Sequence, residues 1–335
     1  MDSKQRLDDY IAGRTVDRRP NLTIVGSVVT QYTGITVERY CKDPKAMAES
    51  AVEAARDLRL DFVQIASDLV RSAEAFGTAV NYFPDKLPSV ARPALDDISG
   101  VSSLKPLRVR DHRRLSDLVA AYQRAIELVD DIYPMTLAAG PVTIAANTRG
   151  VEDFLIDLID AAEECGALLD IASETIIDLA RELAGVGAKY VYLADPVASL
   201  VSPAQYESLV LPRHRRIYGE LAALGITGRL HMCGNTQAIL PYSSQCGAKI
   251  IDIDHAVNYA KALESVEGRC LLNGNIDPVA DVYSADAAHV REAILATANS
   301  VGRARAMFMP GCELPTDTKR ENILAISEAL NEIGG

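Results

Sequence analysis

The stretch Tyr190–Met232, YVYLADPVASLVSPAQYESLVLPRHRRIYGELAALGITGRLHM, carries one full period of the pattern that decides the fold. Tyr190–Ala194 is a short apolar, β-branched run, Pro203–Leu224 has the length and period of an amphipathic helix, and Arg229–Met232 is extended again. Moving outward, extended runs recur at Leu22–Gly26, Phe62–Ala66, Met135–Ala139, Lys249–Ile253, Cys270–Asn273 and Ala306–Met309. Helical patterns lie between and after them at Lys45–Leu58, Arg114–Asp130, Cys165–Ala184, Asp286–Ser300 and Lys319–Ile333. Strict alternation implies parallel strands joined by right-handed crossovers. Eight such units predict an α/β chain folded as a single (β/α)8 TIM barrel, with an open doubly wound sheet as the alternative.

The barrel is expected to span residues 1–335 as one domain, with a helical extension over 1–20. Residues Thr78–Arg110 contain NYFPDKLPSV and ARPALDDISG, rich in proline and without helical period, so the second βα connection is long. Such connections sit over the active-site face, here the barrel mouth. No internal repeat or Gly/Ser linker divides the chain. The 46 acidic residues outnumber the 34 Lys and Arg, for a formal charge of −12, which argues against a nucleic-acid surface. No apolar run is long enough to span a membrane, and the start, MDSKQRLDDY, lacks the apolar core of a signal peptide, so a cytoplasmic location is expected. There the six cysteines are not read as a disulfide framework.

Active sites of barrels lie at the C-terminal strand ends. Here those ends carry Ser27, Ser67 and Asp68, Gly140, Asp195, His231 and Cys233, Asp252 and Asp254, Asn273 and Asn275, and Cys312. In RLHMCG, Arg229–Gly234, residues i and i+2 of an extended strand point to one side, so His231 and Cys233 present an imidazole and a thiol together. Cys312 follows the last strand in MPGCELP, and the two loops converge over the same mouth. Three such ligands with an open fourth position describe a catalytic zinc site, and thiolates with imidazole select a borderline-soft metal. The competing reading of the same residues is ordinary core packing. His112 and His214 lie among arginines and read as solvated, His289 as exposed on a helix, and His255 as an extra ligand.

HMCGN (His231–Asn235), LLNGNIDP (Leu271–Pro278) and MPGCELPTDTKRENI (Met309–Ile323), in this order, resemble the uroporphyrinogen decarboxylase superfamily, and within it the zinc-dependent corrinoid-protein methyltransferases. The likeness extends to GPVTIAAN (Gly140–Asn147), ADPVASLVSPAQYESLVLP (Ala194–Pro212) and SAEAFG (Ser72–Gly77). It implies a (β/α)8 barrel with Zn(2+) held by His231, Cys233 and Cys312. It further implies a methyltransferase that moves a methyl group between a methylcobamide on a separate corrinoid protein and a small substrate such as the thiol coenzyme M. Relatives that take methyl from methoxylated aromatics or methanol-like donors give the reverse direction, for which Phe76, Tyr82, Phe83 and Tyr32 offer an aromatic slot. The decarboxylase branch resembles the chain less, because it lacks the zinc site and carries an RQAGR segment where the N-terminal arginines here read GRTVDRRP. The chain contains no D-x-H-x-x-G segment for a cobalamin of its own, so the corrinoid is expected on its partner. A non-catalytic zinc or corrinoid-docking subunit is the second function class, and a homodimer is an open expectation. Glu74 matches a family glutamate and is expected as a fourth ligand or nearby base. Asp195 is expected to hydrogen-bond the ligand histidine, and Asn273 and Asn275 to orient substrate. Asp277-Pro278 reads as the cap and first residue of a helix.

Overall fold

Runs such as FVQI and YVYLA lack polar alternation, which suits strands covered on both faces, and every residue of both is buried. The computed structural model describes residues 1–335. Its strands are β1 (Phe62–Ile65), β2 (Ala79–Asn81), β3 (Ser89–Arg92), β4 (Tyr133–Ala139), β5 (Tyr190–Ala194), β6 (Thr227–His231), β7 (Ile250–Asp252) and β8 (Leu271–Asn273). Six of them form one parallel sheet in the order β1-β4-β5-β6-β7-β8, so strands successive in the chain are neighbours in space. β2 and β3 form a separate antiparallel hairpin inside the second connection. That hairpin, with short 3-10 turns at Ile98–Ser103 and Val109–Asp111, gives structure to a segment expected as irregular.

The regular sheet has six strands rather than the expected eight, and side chains explain the difference at one end. Leu22–Gly26 begins beside β1 through one ladder bond, Asp61 N to Asn21 O at 2.9 Å. Thereafter side chains replace the ladder. The Asp61 carboxylate accepts the Asn21 amide at 2.6 Å, and Gln64 Oε1 accepts the amides of Val25 and Gly26 at 2.9 and 3.2 Å. At the other end Ala306–Met309 runs beside β8 and the residues after it through a loose ladder, from Met307 N to Leu272 O at 2.9 Å to Gly311 N to Ile276 O at 2.8 Å, with bridges of Asn273 to Met307 and Ile276 to Pro310. Leu314 N, just beyond the second segment, donates to Ile24 O of the first at 3.1 Å.

Helices follow the expected pattern closely. Pro44–Asp57 starts where the Asp43 carboxylate accepts the amides of Lys45 and Ala46, with proline at its first position, and buries an alanine-rich face with Met47. The stretch Pro203–Leu224 is interrupted: Tyr206–Val210 widens into a π turn before Leu211–Ala223 resumes. The cause is Pro212, whose ring and missing N–H disturb the preceding turn. The N-terminal extension is helical over Ser3–Ile11 and docks by Tyr10 Oη donating to Ala306 O at 2.7 Å. No helix is long and apolar enough to cross a membrane.

Candidate metal centre

His231 is the last residue of β6, in register with Asp252 at the end of β7 and Ala194 at the end of β5. Extended geometry carries Cys233 to the same side two residues later, and Asp254 fixes the turn by accepting the Gly234 amide at 2.7 Å. Cys312 arrives from the segment after Met309. Gly311 allows this approach, because a Cβ there would sit 2.6 Å from His255 N and 2.8 Å from Asp254 Cα. His231 Nε2 lies 3.0 Å from Cys233 Sγ and 3.7 Å from Cys312 Sγ, and the two sulfurs are 2.8 Å apart. The three ligand atoms lie within 4.8 Å of one another, the His-Cys-Cys group expected from the sequence. The sulfurs are not bonded to each other, since a disulfide is about 2.05 Å long.

The donor set fits zinc. Zn–S and Zn–N bonds of about 2.3 and 2.0 Å give tetrahedron edges of roughly 3.5–3.8 Å, so these donors need separate by less than about 1 Å. The ring is also prepared for it. Asp252 Oδ2 lies 3.0 Å from His231 Nδ1, which holds a proton there and turns Nε2 toward the sulfurs as the nitrogen a metal would take. Asp252 is itself fixed by Arg229 Nε at 2.9 and 3.0 Å and by Asn273 Nδ2 at 2.9 Å. Burial alone would raise the Asp252 pKa, but Arg229 and then His231 hold it below the usual carboxylate range. Burial would lower the His231 pKa, and Asp252 and Cys312 outweigh it, raising it to about 9. The sulfur of Cys233 and the imidazole beside Cys312 pull that thiol down to about 5, while the negative Cys312 sulfur pushes Cys233 up. In the bare site a Cys312 thiolate thus faces a protonated His231, whose Nε2 proton must leave when a metal binds.

The triad opens into a cavity at the C-terminal ends of the strands. Its walls are largely apolar, from Ile24, Leu69, Leu137 and Pro196, with Leu87 supplied by the second connection. Glu313 enters beside Cys312, where burial raises its pKa to about 7, and it accepts the Ser27 amide at 3.2 Å. Gly26, at φ +45°, makes room for it, because a Cβ there would collide with the Glu313 carboxyl.

The structure does not bring the other expected site residues to the His-Cys-Cys group. Glu74 is taken by Arg114 Nη1 at 2.7 Å and by Tyr82 Oη at 2.8 Å, in a separate polar pocket with Lys42, Arg113 and Asp117. Asp195 caps Pro141–Arg149 by accepting from Thr143 N and Oγ1, both at 2.7 Å, and lies 3.0 Å from His214 Nε2. The carboxylate that holds His231 is Asp252. His214 is fully buried rather than solvated, because Tyr206 at Nδ1 and Asp195 at Nε2 satisfy both ring nitrogens. Asn273 acts through Asp252 rather than on the cavity, and Asn275 donates to the carbonyls of Asp254 and Val257 at 3.0 and 2.6 Å. Phe76, Tyr82, Phe83 and Tyr32 do not line the cavity, whose aromatic wall is Tyr192. Asp277 caps the following turn as expected, accepting from Val279 and Ala280. Sequence reasoning gave no role to Arg229, Asp252 or Glu313. Asp252 was visible as the polar end of the strand after His231, and Glu313 as the neighbour of Cys312.

Comparison with known proteins places this geometry in context. The chain is 26% identical to the methylcobamide:CoM methyltransferase MtbA of Methanosarcina acetivorans, over 97% of this chain and 96% of that protein. It is 28% identical to the uroporphyrinogen decarboxylase of Nocardia farcinica, over 99% and 98% of the two chains. Overall identity therefore does not separate the two chemistries. Its fold superposes on a solved methyltransferase from Methanosarcina mazei with a TM-score of 0.90, covering 99% of both chains at 24% identity. The family pattern for uroporphyrinogen decarboxylase (URO-D) matches residues 2–333, nearly the whole length, and the chain belongs to that family.

Proposed function

We propose that this protein is a zinc- and cobamide-dependent methyltransferase that moves a methyl group from methylcobamide on a separate corrinoid protein to a small thiol such as coenzyme M. The observation that carries the reading is the His231–Cys233–Cys312 group, held from behind by Asp252 and open on one side to an apolar cavity. Decarboxylation has no use for two thiols and a preset imidazole, so the triad favours methyl transfer where overall identity is neutral. The relative named for coenzyme M supports the thiol acceptor. The cavity does not choose between the directions, since Phe76, Tyr82 and Phe83 are absent from walls that are apolar and carry Tyr192. The two irregular segments, Leu22–Gly26 and Ala306–Met309, are read as closing the six-stranded sheet into a (β/α)8 barrel. The fold likeness and the Leu314–Ile24 bond support that closure.

Zinc would be held by His231 Nε2 and the sulfurs of Cys233 and Cys312, and when bound it supplies an electrophilic site that keeps an incoming thiol deprotonated at neutral pH. The chain's own residues do the rest. Asp252 keeps the His231 proton on Nδ1, and Arg229 keeps Asp252 charged in a buried setting. The apolar wall from Leu69, Leu87 and Leu137 excludes water from a thiolate nucleophile. In the overall reaction the sulfur forms a bond to the methyl carbon, the cobalt–carbon bond breaks, and its electron pair stays on cobalt. Unpaired thiols at the centre suit a reducing, cytoplasmic compartment.

The test is zinc-loaded protein with methylcobalamin and a panel of thiols including coenzyme M, following the cobalt absorbance. Thiol-dependent loss of methylcobalamin is expected. No turnover with any thiol, alongside methylation of cob(I)alamin by a methoxylated aromatic, would reverse the direction.

A further inference from the structure

The metal centre occupies the C-terminal strand ends; the opposite end carries a pocket of a different character. Arg19 precedes the segment that leads to Gly26, and Arg303 and Arg305 precede the one that leads to Cys312. Together with Arg14 they share one pocket of about 540 Å³, which Tyr10 and Gly335 also line. Two of these arginines are partly engaged: Arg14 with Asp9 at 2.5 Å, and Arg305 with the carbonyls of Tyr10 and Ile11. Arg303 is exposed and makes no ion pair.

Arg19 is the informative member. It is 9% exposed, yet its Nε and Nη1 have no hydrogen-bond partner, and its Nη2 reaches only Ala304 O at 3.4 Å. Its guanidinium lies over the Phe308 ring at 4.8 Å, which orients it without neutralising it. A buried cation left without an anion is strongly unfavourable. The contrast with its neighbours is direct, since Arg6 and Arg18 both pair with the buried Asp61 at 2.6 Å. No Asp or Glu carboxylate comes within 4.0 Å of Arg19, Arg303 or Arg305, in a chain whose acidic residues outnumber its basic ones by 46 to 34.

We infer that this pocket is a binding site for a phosphate-bearing small molecule, with Arg19 as its buried anchor and Arg303 at its rim. Guanidinium forks match phosphate oxygens in pairs, and several cations around one small volume call for a group carrying more than one negative charge. A lone carboxylate would satisfy one of them.

Calorimetric titration of inorganic phosphate into the full-length, zinc-loaded protein at physiological ionic strength tests this, with acetate as the comparison anion. Saturable one-site binding of phosphate is expected, with acetate much weaker. Arg19→Gln should weaken it by about tenfold or more. Arg303→Gln, on the exposed rim and harmless to folding, should weaken it several-fold. Arg181→Gln removes a surface charge that pairs with Glu220 and should leave binding unchanged. Absence of saturable binding, affinity unaltered by Arg19→Gln and Arg303→Gln, or a loss equal to that of Arg181→Gln would overturn the assignment. Acetate binding as tightly as phosphate would overturn the ligand class.

Discussion

Replacing Asp252 by asparagine keeps the shape of the residue behind His231 and removes its charge, and two separable losses should follow. The first is stability. Arg229 is 1% exposed and its carboxylate partner is Asp252, so the variant buries an unpaired guanidinium. Breaking such a pair costs about 3–5 kcal/mol, a large part of the roughly 5–15 kcal/mol that holds a domain together. The second is metal affinity. Without the carboxylate at Nδ1 the ring loses both its fixed proton position and part of its basicity, a change expected to weaken zinc binding by about 10–100-fold, or roughly 1.4–2.7 kcal/mol. Urea unfolding of the zinc-free protein and chelator competition on the loaded protein read these losses independently. The double variant Arg229→Met with Asp252→Asn removes both buried charges, and it should regain most of the stability while zinc binding stays weak. If zinc affinity were unchanged in Asp252→Asn, or returned with stability in the double variant, Asp252 would be a fold residue and its role at the metal would be refuted.

Three further outcomes are expected. Cys312→Ala should drop zinc well below one per chain by metal analysis and abolish methyl transfer; full zinc with full activity would remove Cys312 from the ligand set. Glu74→Gln should leave zinc stoichiometry unchanged, because the Glu74 carboxylate is engaged by Arg114 and Tyr82, and its effect should appear as a loss of about 1 kcal/mol or less in urea unfolding. Burial pushes the carboxyls of Asp68 and Asp252 up, and the guanidiniums of Arg114 and Arg229 bring both below the usual range. Carboxyls depressed in the folded state contribute stability that is fully present above about pH 4 and lost as pH falls through their folded values, so the urea midpoint should decline on acidification below about pH 4; a flat midpoint down to pH 3 would contradict this.

Much of this molecule is legible from local pattern. Helix starts such as Asp43-Pro44 and Asp277-Pro278 announce themselves because cap and first turn are adjacent in sequence. His231 and Cys233 are legible for the same reason, since two residues along a strand suffice to bring them together. Illegible features are those in which a side chain chooses a partner far along the chain. Nothing local tells Gln64 to accept the amides of Val25 and Gly26, yet that choice turns an expected strand into an irregular segment. Nothing local decides between Asp195 and Asp252 as the carboxylate behind His231, because one follows and the other ends a strand that neighbours β6. Packing makes the choice: Asp195 turns toward Thr143 and His214, whereas Asp252 lies within reach of Arg229, which projects from β6 two residues before His231. The same arginine explains why a carboxylate can stay charged there without solvent. The i, i+2 rule that aligns His231 with Cys233 therefore also aligns Arg229 with them. One face of β6 thus carries the counter-charge, the imidazole and the thiol in sequence, and the centre is built along a strand before any loop contributes Cys312.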